Sequence, residues 1–204
     1  MTTIAIVGAS GNVGTQLVAE ALRRNHTVTA IARDPSKLGE HAGLELKSVD
    51  LRDAKALQAA VKGHDAVISS VHFEGLRPST IIEPVKAAQV DRLLVVGGAA
   101  SLYVAPGQRL LDSPNFPAEY KAEASAAAAF LDALRHERQL DWTFISPSAE
   151  FVNGERTGSF RIGKDDLLTD ADGRSWISYQ DFAIALFDEL ERPAHSRQRF
   201  TVGY

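Results

Sequence analysis

The sequence contains no cysteine. That single absence excludes disulfides, iron–sulfur clusters, thiolate zinc sites and a cysteine nucleophile. Basic charge is also in short supply: 22 Lys and Arg face 26 Asp and Glu, for a formal net charge of −4. Such a chain offers no cationic field to hold a phosphate backbone, so nucleic acid is not an expected partner. Long apolar runs are missing too, none approaching the roughly 20 residues that span a bilayer. Met1-Thr2-Thr3 leads straight into Ile4-Ala5-Ile6-Val7 with no charged segment before it, which predicts neither a signal peptide nor a membrane span. The six histidines show no metal-ligand spacing, so no metal is expected, and no G-x-S-x-G nucleophile motif occurs. The expectation is a soluble, cytoplasmic α/β protein with a small-molecule partner, its 204 residues forming one domain over 1–204.

What is present has a rhythm. Short, mostly continuous apolar runs recur at Ile4–Val7, Val28–Ala32, Leu44–Val49, Ala66–Val71, Leu93–Val96 and Trp142–Ile145, as strands buried on both faces require. Helix-period stripes lie between them. Val13, Leu17, Val18, Ala21 and Leu22 form one; Leu57, Ala60 and Val61 form another behind the potential cap Asp53; Phe182, Leu186 and Leu190 form a third. Strand–helix alternation implies parallel pairing, and so a doubly wound, three-layer α/β/α sheet of the Rossmann type. Residues 98–117 and 148–178 interrupt the rhythm with glycine and proline, and are expected as substrate-side loops. Within the second, Glu150–Gly173 is expected to form short strands and turns, with Asp165-Asp166 as a solvated turn. The alanine-rich stretch Ala122–Ala129 predicts a helix packed closely on the sheet.

The most specific signal is Gly8-Ala9-Ser10-Gly11-Asn12-Val13-Gly14, directly after the first strand and opening the first helix. In that position Gly8 serves a tight turn, Gly11 lets backbone approach a pyrophosphate, and Gly14 lets helix and strand pack closely. The helix N-terminus presents free N–H groups to the phosphates. Arg33 follows the second strand with Lys37 nearby, which favours the 2′-phosphate of NADP(H) over the ribose hydroxyls of NAD(H). Asp34 is the competing ribose ligand, or else a cap for the turn led by Pro35.

These motifs, with Val49-Asp50-Leu51-Arg52-Asp53, Asp141–Pro147 and Ile177–Ala183, resemble the short-chain dehydrogenase/reductase superfamily. The likeness spans the chain and is closest to the small atypical NAD(P)H-binding branch that includes biliverdin reductase B, flavin reductases and NmrA-like proteins. The resemblance implies that Asp50 and Leu51 flank the adenine, and that Ser69, Ser70 and Val71 run beside the diphosphate and ribose. It implies that Gly97, Gly98 and Ser101 lie near the nicotinamide, with Ser146, Pro147 and Ser148 beside its amide. Typical members carry Tyr-x-x-x-Lys, in which the lysine activates the phenol. Here Tyr120 is followed by Ala124 at the lysine position.

That departure weighs against epimerase or dehydratase chemistry and leaves simple hydride transfer, with Ser101 and Tyr120 as the candidate catalytic residues. The expected activity is an NAD(P)H-dependent oxidoreductase acting on a small planar acceptor: a flavin, a quinone or a carbonyl compound. The alternatives are a non-catalytic NADP(H) sensor of the NmrA type and an epimerase or dehydratase. An open pocket lined by Ser101, Tyr103 and Tyr120 would favour the enzyme, a plugged one the sensor. His72, Tyr103 and Phe151 are the expected substrate-side residues, since strand C-termini form the ligand crevice of such sheets. A monomer or homodimer is expected.

Overall fold

The computed structural model describes residues 2–204. Its first half runs β1 (Thr3–Val7), α1 (Asn12–Arg23), β2 (Thr27–Ala32), β3 (Leu44–Ser48), α2 (Ala54–Val61), β4 (Ala66–Ser69), α3 (Ser79–Ala87) and β5 (Arg92–Val96). A short hairpin follows, β6 (Tyr103–Ala105) and β7 (Gln108–Arg109), and then α4 (Lys121–His136) and β8 (Asp141–Ser146). The chain ends with β9 (Glu150–Val152), β10 (Arg161–Gly163), β11 (Trp176–Ser178), α5 (Tyr179–Glu191) and β12 (Gln198–Gly203).

Eight strands form one sheet in the order β10-β12-β8-β5-β4-β1-β2-β3. All pairings are parallel except β10 with β12. The strand order reverses between β1 and β4, which places a crevice at their C-terminal ends, the doubly wound arrangement. Each face carries its own core. Leu57, Ile81, Val85, Phe130 and Leu131 bring α2, α3 and α4 onto one face, while Leu17, Val18, Phe182 and Leu186 bring α1 and α5 onto the other. Close approach of α4 is helped by Ala127, which packs in the core of that face, and Ala124 and Ala128 on the same helix are buried too. Asp53 does cap α2, its Oδ1 accepting the Ala56 N–H at 3.0 Å.

Several expectations need correction. The run Ala66–Val71 is a strand only to Ser69, and beyond it the Ser70 carbonyl packs against Gly8. Residues 98–117 are not structureless: they hold the β6–β7 hairpin and one short 3₁₀ turn, Leu110–Asp112, and a second, Ala118–Tyr120, follows directly. The edge strand β10 makes the sheet mixed rather than wholly parallel. Two elements have weak sequence signals. Pro84 interrupts the pattern of α3, and β12 carries polar residues at Gln198, Arg199 and Thr201 although all but the first are buried.

Candidate functional site

The turn between β1 and α1 is held by its own backbone. The Gly8 and Ala9 N–H groups both donate to the Ile31 carbonyl, at 2.8 and 3.2 Å. Gly8 has φ +83°, and a Cβ there would lie 2.1 Å from the Ser70 carbonyl oxygen. A Cβ on Gly14 would lie 2.2 Å from the Gly8 carbonyl oxygen. These two glycines are demanded by packing. Gly11 is different: a Cβ would meet only the Gly8 oxygen, at 3.4 Å, an ordinary contact. The fold tolerates a side chain there, so the bare backbone serves whatever approaches from outside.

Gly11 is also the N-cap of α1 and supplies no side-chain cap. The first amides of the helix therefore point outward with the positive end of its dipole, an arrangement suited to a diphosphate. Ser10 is half-buried and Asn12 exposed at its mouth, with Val13 half-buried behind them. The cradle fits the group its sequence implies.

At the end of β2, Arg33 and Lys37 are exposed. Asp34 is committed elsewhere. Its Oδ1 accepts both the Ser36 hydroxyl, at 2.6 Å, and the Ser36 N–H, at 3.0 Å, closing the turn and holding the carboxyl below its usual range. Asp50 is tied to Arg52, whose hydrogen bonds hold its pKa down at about 2. Leu51 packs beneath it on the α2 side of the core. Ser69 is buried at the end of β4, while Ser70 and Val71 are half-buried, with the Ser70 N–H donating to the Val7 carbonyl at 2.8 Å.

Farther along the same sheet edge lies an open cavity of about 580 Å³. Its walls come from His72 and Phe73 after β4, from Gly97–Ala100 after β5, from the start of α4, and from Pro147–Ala149 with Phe151 after β8. Phe116 and Pro117 close one side. Gly97 is required here because a Cβ would strike the Phe144 ring at 2.1 Å. Gly98 has no such constraint, its nearest neighbour being the Ala127 Cβ at 3.6 Å. Tyr120 lies on the rim, 61 % exposed. Ala124 faces the cavity where the superfamily pattern has lysine. The Glu123 carboxylate accepts the Phe73 N–H on both oxygens, at 2.9 and 3.0 Å, and the Glu74 N–H at 2.6 Å. His72 Nδ1 stands 3.7 Å from it.

His72, Gly97, Gly98, Tyr120, Pro147 and Phe151 thus share one cavity. Ser101, Tyr103 and Ser146 do not line it. The Ser101 and Ser146 hydroxyls accept from Arg199 Nη1 at 3.3 and 3.4 Å. Tyr103 sits in the exposed hairpin, its N–H donating to the Asp165 carbonyl at 2.8 Å. The buried Arg199 guanidinium is the hub: Asp165 Oδ1 accepts from its Nε at 2.8 Å and its Nη2 at 2.5 Å. Asp165 is therefore an ion-pair partner that pins a loop to the sheet, not a solvated turn. Sequence reasoning missed Arg199 and Glu123. No signal marked Arg199, and Glu123 read as an ordinary first-turn acid of a helix.

The segment after β9 is strapped to the opposite face. Arg156 makes a bidentate pair with Glu20 of α1, both bonds at 2.9 Å. Burial pushes the Glu20 carboxyl up, but Arg156, Arg24 and Arg23 outweigh it and hold the pKa at about 2. At the start of α5, the Asp181 carboxylate accepts the Gly158 N–H at 2.9 Å, the Tyr204 hydroxyl at 2.7 Å and the Thr157 hydroxyl. Burial pushes the Tyr204 phenol up. A second cavity of about 330 Å³ opens between α1 and this segment, beside Asn12, Gln16 and Asn153. Among the described residues, no three His, Asp or Glu side chains gather to hold a metal, and no helix is long and apolar enough to cross a membrane.

A glycine cradle at the switch point, an uncapped helix N-terminus and an open cavity on the same sheet edge define a dinucleotide-binding α/β protein of the Rossmann type. The chain belongs to the NAD(P)H-binding family, whose model matches residues 8–193. It is 44 % identical to the Bacillus subtilis protein YwnB over 98 % of this chain and 97 % of that one. A Bacteroides thetaiotaomicron crystal structure, described as a candidate epimerase, is 44 % identical with a TM-score of 0.95, covering 100 % of this chain and 97 % of the other. A Streptococcus pneumoniae structure, described as a candidate NADH-flavin reductase, is 37 % identical with a TM-score of 0.84, covering 100 % of this chain and 99 % of the other.

Proposed function

We propose that the protein is an NAD(P)H-dependent reductase that transfers hydride to a small planar acceptor, a flavin, quinone or carbonyl compound. The observation that carries this reading is the open cavity beside Gly97, Gly98 and Pro147, walled by Phe73, Phe116 and Phe151. Of the three residues expected to line an enzyme's pocket, Tyr120 does so and Ser101 and Tyr103 do not, so the support comes from the open space itself. The flavin-reductase description of the Streptococcus pneumoniae relative points the same way.

In this reading Gly8, Ser10, Gly11, Asn12, Val13 and Gly14 receive the diphosphate, Asp50 and Leu51 flank the adenine, and Ser69, Ser70 and Val71 run beside the ribose. Arg33 and Lys37 receive the 2′-phosphate, making NADP(H) the preferred coenzyme, because Asp34 spends its carboxylate on Ser36 and is not free for a ribose. Gly97, Gly98, Ser146 and Pro147 border the nicotinamide end. The coenzyme supplies the hydride; the chain binds, orients and shields the reactants. Tyr120, on the cavity rim, supplies the proton that completes reduction, and Ser101 acts from behind the wall. His72 and Phe151 contact the acceptor, whereas Tyr103, expected beside them, is carried out of the lining by the hairpin. Position 124 holds alanine where the superfamily pattern has the lysine that activates the phenol, which disfavours epimerase chemistry. The setting proposed is the cytoplasm.

The test is NADPH oxidation followed at 340 nm with a panel of flavins, quinones and carbonyl compounds. Protein-dependent acceleration with at least one of them is expected. Tight NADP(H) binding with no turnover across the panel would overturn the reading in favour of a sensor.

A further inference from the structure

We propose that the cavity selects its acceptor by charge, admitting a neutral or cationic planar ring and rejecting one that carries a phosphate or sulfonate, and that Glu123 imposes the selection. The proposal rests on the reductase reading for what the cavity holds, while the charge argument stands on the lining itself.

Among the described residues, none that lines the cavity is lysine or arginine, and Glu123 is its one carboxylate. Its side chain is 33 % exposed, enough to project its charge into the space. Three bonds from the Phe73 and Glu74 amides fix its position without cancelling its charge, since an N–H group has none to give. Four basic side chains stand nearby in sequence or space. His72 is 3.7 Å away but 97 % exposed, so solvent and salt screen its side chain. Arg199 is engaged by Asp165 behind the wall. Arg109 is paired with Asp112. Lys121 is exposed outside the lining.

One feature would otherwise invite an anion: the N-terminus of α4, with its positive dipole end, opens toward the cavity beside Tyr120. Glu123 sits in that first turn and occupies the potential. The remaining wall is aromatic and aliphatic, from Phe73, Phe116, Phe151 and Ala127, which favours a flat apolar ring. A like charge within several ångströms of Glu123 in this partly enclosed space weakens binding by about tenfold or more, and salt erodes the difference.

Matched pairs isolate the charge: riboflavin against flavin mononucleotide, and menadione against its sulfonate. Affinities are read by flavin fluorescence quenching and by calorimetry, on protein with and without saturating NADP⁺. The uncharged member of each pair is expected to bind at least about tenfold tighter at low salt, with the gap narrowing at high salt. Equal or tighter binding of the anionic members, or no binding of either uncharged member, would overturn the proposal. Glu123→Gln should shrink the gap. Because that change also touches the Phe73–Glu74 loop, Asn115→Arg provides a second arm: a cation on the exposed rim should tighten flavin mononucleotide more than riboflavin. No change in that ratio would count against selection by charge. Since these are binding measurements, they stand even if the turnover panel is silent, so the two failures are distinguishable.

Discussion

The two halves of the sheet edge are built on different principles. The half from β1 to the end of β4 is shaped by backbone: at Gly8 and Gly14 a carbonyl oxygen lies 2.1–2.2 Å from where a Cβ would be, and the first amides of α1 have no side-chain cap. The half that carries the open cavity, after β5 and β8, is shaped by side chains that are far apart in the chain. Arg199 joins Asp165, Ser101 and Ser146 across sequence separations of 34, 98 and 53 residues. Glu123 reaches back 50 residues to Phe73. In the proposed function, a backbone cradle binds what all nicotinamide coenzymes share, whereas a wall of long-range side-chain contacts is free to vary with the acceptor.

The comparison breaks most sharply at Gly11. Gly11→Val fills space the fold leaves open, so coenzyme affinity should fall about a hundredfold, near 2.7 kcal/mol, while the melting temperature barely moves. Calorimetric titration beside a thermal scan checks both, and retained affinity would remove the cradle from the site. Asp165→Ala should do the reverse. It leaves the buried Arg199 without its counter-charge, and a loss of about 2 kcal/mol in urea unfolding is expected, discounted because Asp165 is itself half exposed. Coenzyme affinity should change little. Smallest is Arg33→Ala: NADP(H) affinity should drop about tenfold, roughly 1.4 kcal/mol, with NAD(H) hardly affected. Equal losses for the two coenzymes would end the phosphate role.

The same division explains what could be read in advance. Strand positions, the α1 and α2 stripes, the Asp53 cap and the glycine turn are local, so periodicity and short-range spacing reveal them. Asp34 as the cap of its own turn was one of two local options, and geometry selects it. The cavity wall was legible only in part. His72 and Phe151 follow strand ends, and the doubly wound rule puts such residues near the crevice. Tyr103 follows the same rule but is carried away by the β6–β7 hairpin, whose register depends on Asp165 and Leu167 sixty residues later. Arg199 lies in a strand with alternating polar residues, a pattern that suggests exposure, yet Asp165 and two serine hydroxyls supply enough partners to bury it.

The strap between Arg156 and Glu20 gives the molecule an acid-sensitive clasp. Glu20 titrates at about 2 in the folded chain against an ordinary value of 4.5, so its contribution is intact above that ordinary value. Acidification from there toward pH 2 progressively protonates it and weakens the pair with Arg156. Unfolding free energy should decline over that window, and Glu20→Gln should flatten the decline.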